Sequence, residues 1–185
     1  MKRLTTHPLA GVIATALLLT AILGSMVFDR VRLLQTAREI VLPITPVDPR
    51  DLFRGDYVRL SYEISTLDSH LLIWAPGDPR RPKNVFATLE ADVTGKWRVV
   101  AVSLNLPNNL ATNQIAIAGR LNQRQPYSVS YGIERYYVPE GTGDDLEKLA
   151  RDKTLSAVVA IDTRGRAAIK GLMHDGRRIY DEPLW

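Results

Sequence analysis

Hydrophobic and polar residues follow two regimes along this chain. From Leu9 to Phe28 no residue is charged and most are apolar, so the segment reads as one continuous helix. At about 1.5 Å per residue, roughly 20 such residues match the ~30 Å hydrocarbon core of a bilayer. A cleaved secretory signal has an apolar core of only about 7–15 residues and ends in a small-x-small site. This run is longer and carries no clean Ala-x-Ala, which predicts an uncleaved anchor. Beyond it Val31, Leu34 and Ala37, with Leu33 beside them, keep helical spacing, so the helix is expected to continue as a juxtamembrane stalk over 29–38. Pro43 and Pro46 should end it.

After the stalk the period falls to two. Glu39 to Thr45 suits a strand with Pro43 on an edge, followed by a turn at Asp48-Pro49-Arg50-Asp51. Gly55 and Asp56 then form a turn signal, in which the Asp56 carboxylate can accept backbone N–H groups. A strand follows, with Val58, Leu60, Tyr62 and Ile64 on one face and Tyr57, Arg59, Ser61, Glu63 and Ser65 on the other. Leu71 to Trp74 is a short apolar run, and Ala75 to Lys83 is a proline-rich loop. Val85 to Ala91 and Trp97 to Leu104 flank Asp92-Val93-Thr94-Gly95, which has the length and glycine of a hairpin connection.

A polar loop, Asn105 to Asn113, leads to a strand at Ile115 to Leu121. Val129, Tyr131, Ile133 and Tyr137 alternate with Ser130, Gly132, Glu134 and Tyr136, predicting one strand that ends at Pro139. Asp144 and Glu147 have capping-box spacing before the stripe Leu146, Leu149 and Ala150, which predicts a short helix near 143–152. Leu155 to Ile161, Ala167 to Leu172 and Arg178 to Tyr180, joined by Thr163-Arg164-Gly165 and Asp175-Gly176, form a closing meander.

The fold class is therefore mainly β: a single N-terminal transmembrane helix, then one antiparallel β domain, barrel-like or sandwich, with the short helix near 143–152. The domain plan is a cytoplasmic N-terminus at 1–8, an anchor at 9–28, the stalk at 29–38 and the β domain at 39–185. An outer-membrane barrel is excluded, since the strands are short and irregular and the chain already carries a helical anchor.

Composition narrows the chemistry. The formal charge is +4, but Lys2 and Arg3 account for half of that excess and the other charges are interspersed, so no nucleic-acid partner is expected. Without cysteine there is no disulfide, thiol nucleophile or Cys-based metal site. His7, His70 and His174 form neither a His-x-His nor a His-x-x-x-His pair, so no metal and no cofactor is expected. Charge does not orient the anchor, because Lys2 and Arg3 on one flank face Arg30, Arg32 and Arg38 on the other.

The run Gly55-Asp56-Tyr57-x-x-Leu60-x-Tyr62 resembles the signature of the GDYXXLXY family at all five positions. Val47 to Phe53 and Tyr131 to Gly141 are similar to that family's other recurrent segments, so the resemblance covers most of the chain beyond its N-terminal segment. It implies a bacterial protein anchored in the inner membrane, without an established activity, whose C-terminal domain lies in the periplasm. It also implies an integral membrane protein of equally unknown function as partner.

Arg54, Asp56, Tyr57, Glu134, Arg135, Tyr136 and Glu140 are the candidate binding residues, with Asp48, Arg50 and Asp51 nearby in sequence. Paired arginine and carboxylate groups also lock turns through charge-assisted hydrogen bonds, and Tyr62 is placed in the core. No catalytic residue is assigned. The leading expectation is a non-catalytic accessory or protein-interaction module. One alternative is a Ser/Lys hydrolase using Ser25 and Lys96 with Asp56 orienting the site, since Gly24-Ser25-Met26, Arg54 to Val58 and Lys96 to Val102 resemble fragments of a type I signal peptidase. Ser25 lies within the apolar span, and the proline-containing context after the serine is missing. A further alternative is a small-molecule pocket lined by Arg54, Asp56 and Glu134.

Overall fold

The apolar run folds into helix α1, Pro8–Thr36, which carries on through the predicted stalk. The helix Ala10–Thr36 contains an 18-residue window of mean hydropathy 2.2, none of which is buried inside the protein, consistent with a membrane anchor. The structure is a computed structural model, and it describes residues 8–45, 57–71, 78, 82–125, 127–137, 149, 152 and 154–181. The Asp48–Asp51 turn, the Gly55-Asp56 turn and nearly all of the expected helix at 143–152 lie outside the described residues.

Ala37 alone separates α1 from strand β1, Arg38–Thr45. The described strands that follow are β2 (Tyr57–Arg59), β3 (Ser61–Tyr62), β4 (Asn84–Ala91), β5 (Trp97–Ser103), β6 (Gln114–Leu121), β7 (Val129–Ser130), β8 (Arg135–Tyr137), β9 (Leu155–Ile161), β10 (Ala167–His174) and β11 (Arg177–Asp181). They form a five-stranded sheet in the order β11-β10-β9-β1-β3, a four-stranded sheet in the order β5-β4-β6-β7, and a ribbon of β2 with β8. Every recorded pairing is antiparallel.

Alternation decides what each sheet buries. In β1, Ile40, Leu42 and Ile44 point inward, while Glu39, Val41 and Thr45 face out. They join Val85, Ala87 and Leu89 of β4, Ile115 and Ile117 of β6, and Leu155, Ala157, Val159 and Ile161 of β9 in one core shared by the two main sheets. Burying the valine, leucine and isoleucine side chains among them contributes roughly 1.5–3 kcal/mol each relative to leaving them exposed. β1 pairs with β9 from Arg38 to Pro43 but with β3 only at Ile44 and Thr45, so Pro43 sits where the second side of the strand has no ladder partner among the described strands.

Two expected strands are broken. The strand from Tyr57 splits into β2 and β3 and then tightens into a 3-10 turn at Glu63–Ser65, and its break falls at Leu60, whose N–H donates to the Glu134 carbonyl. The strand from Val129 to Tyr137 splits into β7 and β8 around Gly132, which has φ +79°. The detour shifts the side-chain phase. Tyr131 and Ile133 are buried, and then Tyr136 rather than Tyr137 turns inward, the reverse of the simple alternation.

The stalk does not stand clear of the domain. Leu33 and Leu34 bury themselves against Ala168 of β10, on the outer face of the meander. Asp29 pairs with Arg166, which also holds Asp162 at 2.7 Å. On the same sheet, Glu39 accepts hydrogen bonds from Lys170 at 2.6 Å and from Arg178. The Lys170 ammonium chiefly, with Arg178 helping, holds the Glu39 carboxyl below its ordinary value.

Candidate functional site

The two sequence blocks that carry the resemblance are folded onto each other. Tyr57 pairs with Tyr137, Val58 with Tyr136 and Arg59 with Arg135 in the ribbon. The Tyr62 hydroxyl of the first block donates to the Ile133 carbonyl at 2.8 Å, and the Tyr131 hydroxyl of the second donates back to the Ile64 carbonyl at 2.7 Å. Both carbonyls lie where the chain has left regular strand, so the two phenols satisfy acceptors that no ladder reaches. Further along, Thr66 bridges Ser128, and the Leu67 N–H donates to the Tyr127 carbonyl at 2.7 Å.

Burial, and secondarily the Glu134 charge, pushes the phenols of Tyr62 and Tyr131 above the ordinary tyrosine value. Both therefore stay protonated and act as donors. The Glu134 carboxylate accepts the N–H groups of Tyr131 and Gly132, closing the loop that Gly132 bends. Glu134 thereby locks the turn at Gly132.

Of the other expected binding residues, Arg54, Asp56 and Glu140 lie outside the described residues, as does Gly55 of the signature. Tyr57 is placed by its pairing with Tyr137. Arg135 is exposed. Tyr136, expected at a binding surface, is only 6 % exposed, whereas its neighbour Tyr137 is 70 % exposed. The inversion follows from the irregular step at Gly132 and Glu134. The signature residues Leu60 and Tyr62 are both core.

The Ser25 hydroxyl donates to the Ile22 carbonyl of its own helix at 2.7 Å, and the Lys96 amine pairs with Glu63 at 2.7 Å. The contact a Ser/Lys hydrolase would need is not formed. Glu63 also raises the Lys96 pKa, first through the hydrogen bond, opposite to what a neutral lysine base requires. Among the described residues there is no cluster of three or more His, Asp or Glu side chains able to hold a metal ion.

One feature escaped the sequence reading. A cavity of about 570 Å³ lies where α1 meets the domain, bounded by the α1–β1 junction, the 106–110 loop, the start of β6 and the β9–β10 turn. Its residues come from four separate stretches of chain, and no local pattern marks their meeting.

An apolar N-terminal helix leading into two antiparallel sheets, with the two signature blocks braced against each other, defines a mainly β protein with an N-terminal apolar helix. The family model for the GDYXXLXY protein matches residues 19–172, and the chain belongs to that family, whose function is unknown. Neither the curated proteins nor the solved structures contain a match to it.

Proposed function

We propose that this chain is a non-catalytic accessory module, anchored in the inner membrane by α1, with its β domain in the periplasm. There it engages an integral membrane protein through the β2–β8 ribbon. The observation that carries this reading is Tyr137, 70 % exposed on a ribbon whose two strands come from the two family blocks. A large aromatic held on a braced strand loses little freedom on binding, and tyrosine and arginine are the side chains from which contact hot spots are commonly built. Arg135 is exposed two positions away on the same strand. The apolar length of α1 supports the anchor.

A photo-crosslinking residue at Tyr137 in intact cells tests the reading. The expected result is one membrane-protein adduct from position 137, absent from buried position 136 and from Tyr127, which is 40 % exposed away from the ribbon. Equal labelling from all three positions would sink it. A periplasm-dependent reporter fused after Asp181 tests the side of the membrane.

A further inference from the structure

We infer that the cavity between α1 and the β domain is a binding site for the headgroup of an anionic phospholipid. The inference rests on the anchor reading of α1 and concerns a different face from the ribbon.

The cavity walls carry four arginines, Arg32, Arg38, Arg164 and Arg166, against two carboxylates, Asp29 and Asp162. Both carboxylates are taken by Arg166. Among the described residues no carboxylate lies within ion-pairing distance of Arg32, Arg38 or Arg164. Arg38 is oriented by a hydrogen bond to the Gln114 carbonyl at 3.0 Å and by the Trp97 ring 5.4 Å from its guanidinium carbon. Asp29, already held by Arg166, also feels the charges of Arg164 and Arg32, so four guanidinium groups face two carboxylates around one space and leave positive charge in excess, and the planar N–H fork of arginine matches phosphate oxygens.

Position selects a lipid. Arg32 is one turn beyond Phe28, the last residue of the uncharged run, which is where a helix leaving a bilayer meets the headgroup layer. Ile22 and Met26, 47 % and 65 % exposed, continue the helix face of Asp29, Leu33 and Thr36 and offer an apolar surface for acyl chains leading into the cavity. The remaining wall is apolar at Leu33, Leu106, Pro107 and Leu110, suited to the glycerol backbone. A volume of about 570 Å³ accommodates one headgroup.

The full chain, purified in neutral detergent from equimolar phosphatidylglycerol and phosphatidylcholine vesicles, provides the test, with retained lipid counted by native mass spectrometry. Preferential retention of phosphatidylglycerol is expected. The double substitution Arg32→Gln/Arg164→Gln should lower it roughly 30-fold, and Arg164→Gln alone about fivefold, at the usual contribution per arginine near an anionic surface. Arg177→Gln, on the β10–β11 hairpin, should leave it unchanged. Equal retention of the two lipids, or a preference that survives the double substitution in a protein with an unchanged melt, overturns the site. Binding of glycerol phosphate to lipid-free protein as tightly as the lipid is held reassigns the cavity to a soluble phosphate and overturns the lipid occupant. Flotation with pure phosphatidylcholine vesicles reads the anchor separately. A chain that floats without preferring phosphatidylglycerol keeps its anchor and loses the site, and one that does not float loses both.

Discussion

The turn from Asp92 to Lys96 between β4 and β5 and the turn from Asp162 to Arg166 between β9 and β10 share one design. In each, an aspartate Oδ1 accepts the N–H groups two and four residues on, at 2.8 and 3.0 Å in the first and 2.9 and 2.8 Å in the second. In each, a glycine takes a positive φ, +81° at Gly95 and +80° at Gly165, closing a three-residue hairpin loop. Their surroundings differ. Gly95 has nothing within 4 Å of where a Cβ would stand, and Val93 at the tip is fully exposed. Gly165 is pressed against the Ala118 N–H, which donates to its carbonyl at 2.8 Å, and against the Phe86 ring. Arg166 then reaches Asp29 on α1. Local sequence makes the turn, and tertiary contact makes one copy a junction between both sheets and the helix.

The largest test of this contrast is alanine at each glycine. Gly165→Ala should cost about 2–3 kcal/mol, combining left-handed strain with overpacking, whereas Gly95→Ala should cost about 1–2 kcal/mol from strain alone. At Gly165 the added Cβ meets backbone and ring atoms at 3.2 Å. Denaturant unfolding of the full chain in neutral detergent, followed by tryptophan fluorescence, measures both, and equal losses would erase the distinction. Next in size is Asp162→Ala. It strands two N–H donors and one arm of Arg166 and should cost about 1–2 kcal/mol, with Asp92→Ala giving a smaller drop in Tm because its turn is open to water.

Arg166→Gln should hardly move Tm, since an exposed ion pair contributes little to global stability. It should instead speed amide exchange over Leu33 to Thr36, where α1 rests on β10, and Lys96→Gln should not. The smallest effect is with pH. The Thr94 hydroxyl first, then the backbone N–H groups of Lys96 and Thr94, hold the Asp92 carboxyl below its ordinary value. In the window between that depressed value and the ordinary one the unfolded chain binds more protons. The Asp92 contribution is therefore present above the ordinary aspartate value and lost as pH falls through the folded one. Carboxyl NMR should show Thr94→Val moving the Asp92 titration upward, and an unmoved titration would remove the hydroxyl from the account.

These turns also mark how far the sequence could be read. Asp92-Val93-Thr94-Gly95, Thr163-Arg164-Gly165 and Asp175-Gly176 were legible as hairpin connections because their chemistry is local, and at the last of them both residues have positive φ as the sequence suggests. The mainly β class and its apolar leading helix were legible from period alone. The breaks at Leu60 and Gly132 were not, because apolar alternation runs through both and only the partner strand reveals the detour. Tyr136 and Tyr137 were exchanged for that reason. The Asp29–Arg166 contact spans 137 residues, and the basic cavity beside it has no contiguous signal.

The junction of α1 with β1 has a mechanical meaning. Only Ala37 intervenes between helix and strand, and Leu33 and Leu34 are clamped to the sheet, so there is no swivel between helix and domain. With 29 residues at about 1.5 Å each, α1 is roughly 44 Å long, some 14 Å more than a hydrocarbon core. A domain on a loose tether would sweep a hemisphere. Here any tilt or rotation of the helix is passed to the sheets as torque, and under the anchored arrangement proposed above the helix would set the height and heading of the ribbon, like a vane fixed to its shaft.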